Sequence, residues 1–120
     1  MRLTVKILIF LSLTLALPTH AHTRLSHSEP QAGQMLHESP SHLRLHFSSP
    51  VYLFKLTISD NKGMETAINL EQLSDAQASF EFAMSQLTAG EYVVHWTIMG
   101  ADGHKMSGTL PFAIMNHAHH

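Results

Sequence analysis

From Leu43 the chain alternates apolar and polar side chains. Leu43, Leu45 and Phe47 face one way, and Arg44 and His46 the other. A period of two is the signature of a strand with one buried face, and Ser48-Ser49-Pro50 is expected to end it. A second apolar stretch from Val51 to Ile58 stops at Asp60-Asn61-Lys62-Gly63, a strong turn signal. Shorter strands are expected at 65–70 and 79–84. The stretch Leu73 to Phe82 is ambiguous, because Ser74-Asp75-Ala76-Gln77 suits a helical turn better than a strand. The clearest pair comes last: Tyr92 to Met99 and Gly108 to Met115, joined by the polar turn Gly100-Ala101-Asp102-Gly103-His104-Lys105. In the first of these, Tyr92, Val94, Trp96 and Ile98 form the core face, while Val93, His95, Thr97 and Met99 look outward. Turns about every ten residues and the lack of a long amphipathic pattern predict an all-β domain. The expected form is a Greek-key β-sandwich or barrel of about seven antiparallel strands.

The first twenty-one residues break this pattern. Arg2 and Lys6 precede an apolar run from Ile7 to Leu17, followed by Pro18 and the small-residue site Thr19-His20-Ala21. This is the layout of a secretory signal cleaved after Ala21, and the run is about half of the ~20 residues that a membrane-spanning helix needs. The expected organisation is a signal over 1–21, one β-domain over 22–116 and a His-rich tail over 117–120. Loss of Arg2 and Lys6 takes the formal charge from −2 to −4 with histidines neutral, which argues against nucleic acid as a partner. Without cysteine, the exported domain must hold together by its core, and thiolate metal sites and thiol redox chemistry are excluded.

Histidine is the compositional anomaly, with eleven in 120 residues, and it is the commonest metal ligand. Cleavage after Ala21 would give His22 two donors at once, its α-amine and its Nδ1, closing a six-membered chelate ring. An α-amine has an ordinary pKa near ~8, so a metal displaces little proton affinity to use it. Asp102 and His104, two apart, project to one side of an extended segment. Three nitrogens and an oxygen in a tetragonal arrangement suit Cu(II), although zinc accepts the same donors in tetrahedral geometry. His27, His37, His42 and His46 fall at strand edges or in loops, where solvated histidine is the ordinary reading. His95 sits opposite the Trp96 face, and Met99 and Met106 flank the loop as core filling or a shield.

These segments resemble the CopC family of periplasmic copper-resistance proteins. The resemblance runs through His22 at the new terminus, Leu25, Ser28-Glu29-Pro30, the segment from Leu45 to Pro50 and the segment from Leu87 to Trp96. It closes with Asp102-Gly103-His104-Lys105-Met106-Ser107-Gly108. It implies a cupredoxin-like or immunoglobulin-like β-barrel that is not an enzyme. It also implies one Cu(II) per chain on His22, Asp102 and His104, and a monomeric carrier that sequesters copper or passes it to an inner-membrane protein. Some members add a Cu(I) site on a methionine-rich loop; here the segment from Asp60 to Leu70 contains only Met64, so the Cu(II) site alone is expected. Two other functions fit parts of the pattern. A histidine-brace copper monooxygenase would use the same terminal residue, but Asp102 would occupy a position that oxygen chemistry needs open. A zinc or nickel buffer would use the scattered histidines and the tail.

Overall fold

The computed structural model describes residues 23–70 and 75–116. Within them lie seven strands: β1 (Leu25–Glu29), β2 (Gln34–Leu36), β3 (His42–Asp60), β4 (Glu65–Ala67), β5 (Gln77–Ala83), β6 (Gly90–Met99) and β7 (Lys105–Ile114). The fold is all-β and cupredoxin-like, two sheets curled around one core.

Both sheets are built on β3. Its first half is the centre of a three-stranded layer β1–β3–β5, with Leu45 opposite Ser28 on one side and Phe80 on the other. Its second half joins a five-stranded layer β4–β3–β6–β7–β2, with Leu56 opposite Trp96. Ser48-Ser49-Pro50 therefore does not end a strand, contrary to the sequence expectation. The three residues lie where the register with β5 shifts between His46 and Val51, and here the chain turns from one sheet into the other. Proline is tolerated at such a bulge because no ladder bond from its nitrogen is needed there.

The period-two pattern survives the bend. Leu43, Leu45, Phe47, Val51, Leu53 and Leu56 of β3 are all buried, against Phe80 of β5, Tyr92, Val94, Trp96 and Ile98 of β6, and Leu110, Phe112 and Ile114 of β7. The expected core face of β6 is thus the observed one. Phe47 meets Phe80 and Trp96 edge-on at centroid distances of 6.0 and 5.3 Å, a favoured aromatic geometry. Across from Trp96 stands Gly108. A Cβ there would come within 2.1–2.7 Å of three indole atoms, so the ring lies over a backbone that only glycine leaves open.

Three other expectations are revised in detail. The strand expected at 65–70 shrinks to β4, and that at 79–84 lies at Gln77–Ala83. No helical turn forms over 75–82, where Phe80 points inward from an extended chain; residues 71–74 lie outside the described residues. Five of the seven strands pair antiparallel throughout, but β2 runs parallel to β7. The turn after β3 forms as expected, with the Asp60 carboxylate accepting the backbone N–H groups of Lys62 and Met64, both at 2.9 Å.

Candidate metal centre

The hairpin between β6 and β7 presents the Asp-x-His pair. Its ladder ends at Met99 opposite Lys105. Beyond that, Gly100 N–H donates to the His104 carbonyl at 3.1 Å and Gly103 N–H to the Gly100 carbonyl at 3.0 Å. Gly103 sits at φ +83°, in the left-handed region that glycine enters without steric cost and that this kind of hairpin requires. The tight loop folds the two side chains onto each other. Asp102 Oδ2 lies 2.9 Å from His104 Nδ1, and Asp102 Oδ1 accepts the His104 backbone N–H at 3.1 Å.

This geometry fixes the chemistry of the pair. An ionised carboxylate only accepts, so Nδ1 of His104 carries the proton and Nε2 keeps a free lone pair. The hydrogen bond from the His104 ring, and then that from its backbone N–H, hold the Asp102 carboxyl below its ordinary 3.8. Both side chains are open to solvent, at 66% and 82% exposure, so their contact adds little to stability. Its effect is to orient the pair.

A second strand of the chain reaches the same loop. Just before β1, Thr23 Oγ1 bonds Ser49 Oγ at 2.7 Å, Arg24 N–H donates to Ser48 Oγ at 3.0 Å, and Ser48 N–H donates to the Arg24 carbonyl at 2.8 Å. The corner of β3 thus clamps the residues that follow His22. The clamp also brings Thr23 to the hairpin: a Cβ built on Gly100 would meet Asp102 Oδ1 at 3.1 Å and both Thr23 Oγ1 and Met106 Cε at 3.9 Å. Sequence reasoning gave Thr23 no role, and Ser48 and Ser49 only that of a strand end within a family-like segment, since contacts spanning 24 or 26 residues leave no periodic signature. His22 itself lies outside the described residues, as does the tail 117–120. Among the described residues, no three His, Asp or Glu side chains converge as a metal site; the loop supplies a pair.

The other histidines are placed as surface groups. His46 Nδ1 bonds Ser79 Oγ at 2.6 Å and His95 Nε2 bonds Ser59 Oγ at 3.1 Å. His42 and His27 lie 3.8 and 4.0 Å from Glu81 and Glu29. Met106 is half-buried against the core beneath the loop.

Comparison with known proteins agrees with this fold. The family model for the CopC domain matches residues 25–115. The solved structure of CopC from Methylosinus trichosporium OB3b superposes with a TM-score of 0.65 at 25% identity, covering 82% of this chain and 98% of the other. PcoC, a methionine-rich copper resistance protein from Escherichia coli, superposes at 0.59 with 25% identity, covering 79% and 100%. Protein YobA of Escherichia coli K12 is 28% identical over 98 residues, 78% of this chain and 79% of its own length. A family match across almost the whole described β-domain, with solved relatives of the same architecture, leads to one conclusion: the chain belongs to the CopC family of periplasmic copper-resistance proteins.

Proposed function

We propose that the chain is exported, trimmed after Ala21, and that the domain over 22–116 then holds one Cu(II) ion through the His22 α-amine and Nδ1, the Asp102 carboxylate and His104 Nε2. Its family is one of copper-binding proteins rather than enzymes. The observation that carries the reading is the clamp: Thr23, one residue after His22, is fastened at the β3 corner beside Gly100 and the Asp102 carboxylate. A terminal histidine starting there needs only one residue of chain to meet the pair. Three nitrogens and one oxygen match the tetragonal preference of Cu(II). A site filled by protein donors stores a metal rather than opening it to substrate. The protein accordingly acts as a monomeric carrier that sequesters copper or passes it to an inner-membrane partner.

The test is a Cu(II) titration followed by electron paramagnetic resonance, run on chain beginning at His22 and on chain with one additional N-terminal residue. A tetragonal, nitrogen-rich signal saturating at one Cu(II) per chain is expected in the first and not in the second. Identical spectra would remove the terminus from the site and overturn the assignment.

A further inference from the structure

The outer face of the three-stranded layer gathers histidines that the hairpin leaves unused. His27 of β1 stands directly opposite His46 of β3. Their strand neighbours Ser28, Leu45 and Phe47 are buried, so the two imidazoles project from the other side of the layer, where both are exposed. Directly opposite residues of an antiparallel pair have Cβ atoms about 4.5–5.5 Å apart, a spacing from which two imidazoles reach one ion. Glu29, two residues beyond His27, shares this face and stands opposite Arg44. The bonds around these three side chains leave a donor atom free on each. His46 Nδ1 is tied to Ser79 Oγ on β5 at 2.6 Å, which leaves Nε2 for a metal and anchors the ring through its other nitrogen, as metal-bound histidines are usually anchored. Arg44 Nη1 donates to Glu29 Oε2 at 3.1 Å. The second oxygen, Oε1, faces His27 Nε2 at 4.0 Å. That is too long for a hydrogen bond, yet close to the spacing of two donors on one ion, since donors ~2.1 Å from a tetrahedral metal lie about 3.4 Å apart. With the two side chains 58% and 55% exposed, small rotations close the difference.

Two imidazoles and a carboxylate suit borderline divalent ions, with Cu(II) held more tightly than Ni(II) or Zn(II), and offer nothing to a soft monovalent one. We infer that His27, His46 and Glu29 form a second metal site, for a divalent cation of the Cu(II), Ni(II) and Zn(II) class, with water completing the coordination. Among the described residues no three donors converge ready-made, so the ion itself draws these three together. The site lies on the β1–β3–β5 layer, whereas Asp102 and His104 belong to the hairpin of the other layer. It depends neither on His22 nor on the Cu(II) assignment there. Strand register alone makes neighbours of His27 and His46, which is why each reads as an isolated surface histidine along the chain.

The test is a titration of chain beginning at His22 with Zn(II), which is diamagnetic, observed through ¹⁵N-labelled imidazoles. The Nε2 resonances of His27 and His46 are expected to shift together along one saturation curve. His42, 3.8 Å from Glu81 on the same face, and His95, bonded to Ser59 on the other layer, stay in place. His104 reports the hairpin separately, so failure of one site is not mistaken for failure of the other. His27→Gln should abolish the His46 shift and His46→Gln the His27 shift; both positions are exposed, where substitution leaves the fold intact. Glu29→Gln should raise the Zn(II) concentration at half-saturation, and deletion of residues 117–120 should leave both shifts. Equal response of His42 or His95, survival of either shift when the opposite histidine is replaced, an unchanged midpoint in Glu29→Gln, or loss of both shifts with the tail would each overturn the proposal.

Discussion

The clamp at the β3 corner offers the sharpest test of how this fold prepares a metal site. Replacing Ser48 and Ser49 by alanine removes the hydroxyls that hold Arg24 N–H at 3.0 Å and Thr23 Oγ1 at 2.7 Å, while the backbone bond from Ser48 N–H to the Arg24 carbonyl remains. A neutral hydrogen bond contributes about 0.5–1.5 kcal/mol net, with exposed bonds at the low end. The first of these is exposed and the second half-buried, so together they are worth about 1–2 kcal/mol of docking for the terminal segment. If that docking sets His22 beside Asp102 and His104, its loss appears in copper affinity as a weakening of up to roughly 5- to 30-fold, since each 1.4 kcal/mol is tenfold. The measurement is a competitive Cu(II) titration against a chelator of known affinity, on S48A/S49A and the parent chain, both starting at His22. A Kd within twofold of the parent would refute the reasoning, because the clamp would then hold Thr23 without preparing the ligand set.

Further outcomes follow from neighbouring features. Gly108→Ala drives a methyl into the Trp96 indole at 2.1–2.7 Å; overpacking of this kind costs about 1–3 kcal/mol, so thermal unfolding followed by the single tryptophan should fall by about 4 °C or more, and an unchanged Tm would show that the ring does not lie over the strand. Thr57 is 3% exposed and its Oγ1 has no hydrogen-bond partner among the described residues, so Thr57→Val, which discards a desolvated hydroxyl at constant shape, should raise stability by about 1 kcal/mol; denaturant unfolding with a lowered midpoint would contradict this. Cu(II) binding should weaken in acid as protons compete for imidazole and amine. Asp102, held below 3.8 by His104, is already ionised between pH 5 and 7. The slope of log K against pH in that range should therefore be unchanged by Asp102→Asn even as affinity drops, whereas His104→Asn should lower it, because one imidazole for which protons compete with the metal is gone. A slope that falls in Asp102→Asn would mean the carboxyl titrates there.

What the sequence made legible was what is local. Strand β6 could be read because one face meets the core and the other water, so Tyr92, Val94, Trp96 and Ile98 separate cleanly from their neighbours. The hairpin loop and its Asp102–His104 pair were legible for the same reason, since two residues two apart on a turn are fixed by short-range geometry. The continuity of β3 was hidden because Pro50 is a normal strand breaker, and only the second sheet gives the chain a reason to go on. Strand β2, three residues long and parallel to a strand some 78 positions away, has too few residues to show any period. The attachment of Thr23 to Ser49 was invisible for a similar reason: hydroxyl pairing across 26 residues depends on where the corner falls.

The nineteen residues of β3 also decide how the molecule can come apart. In a sandwich whose layers are made of different strands, one layer can slide or peel from the other along the plane between them. Here the two layers have a strand in common, and that strand is central in both, flanked by β1 and β5 in one and by β4 and β6 in the other. No plane separates the layers without cutting through it. Breathing is thereby confined to the edge strands, β1 and β5 in one layer and β4 and β2 in the other, and full opening becomes all-or-none. Amide exchange in Leu45 and Leu56, on opposite sides of the corner, should therefore report one common unfolding event.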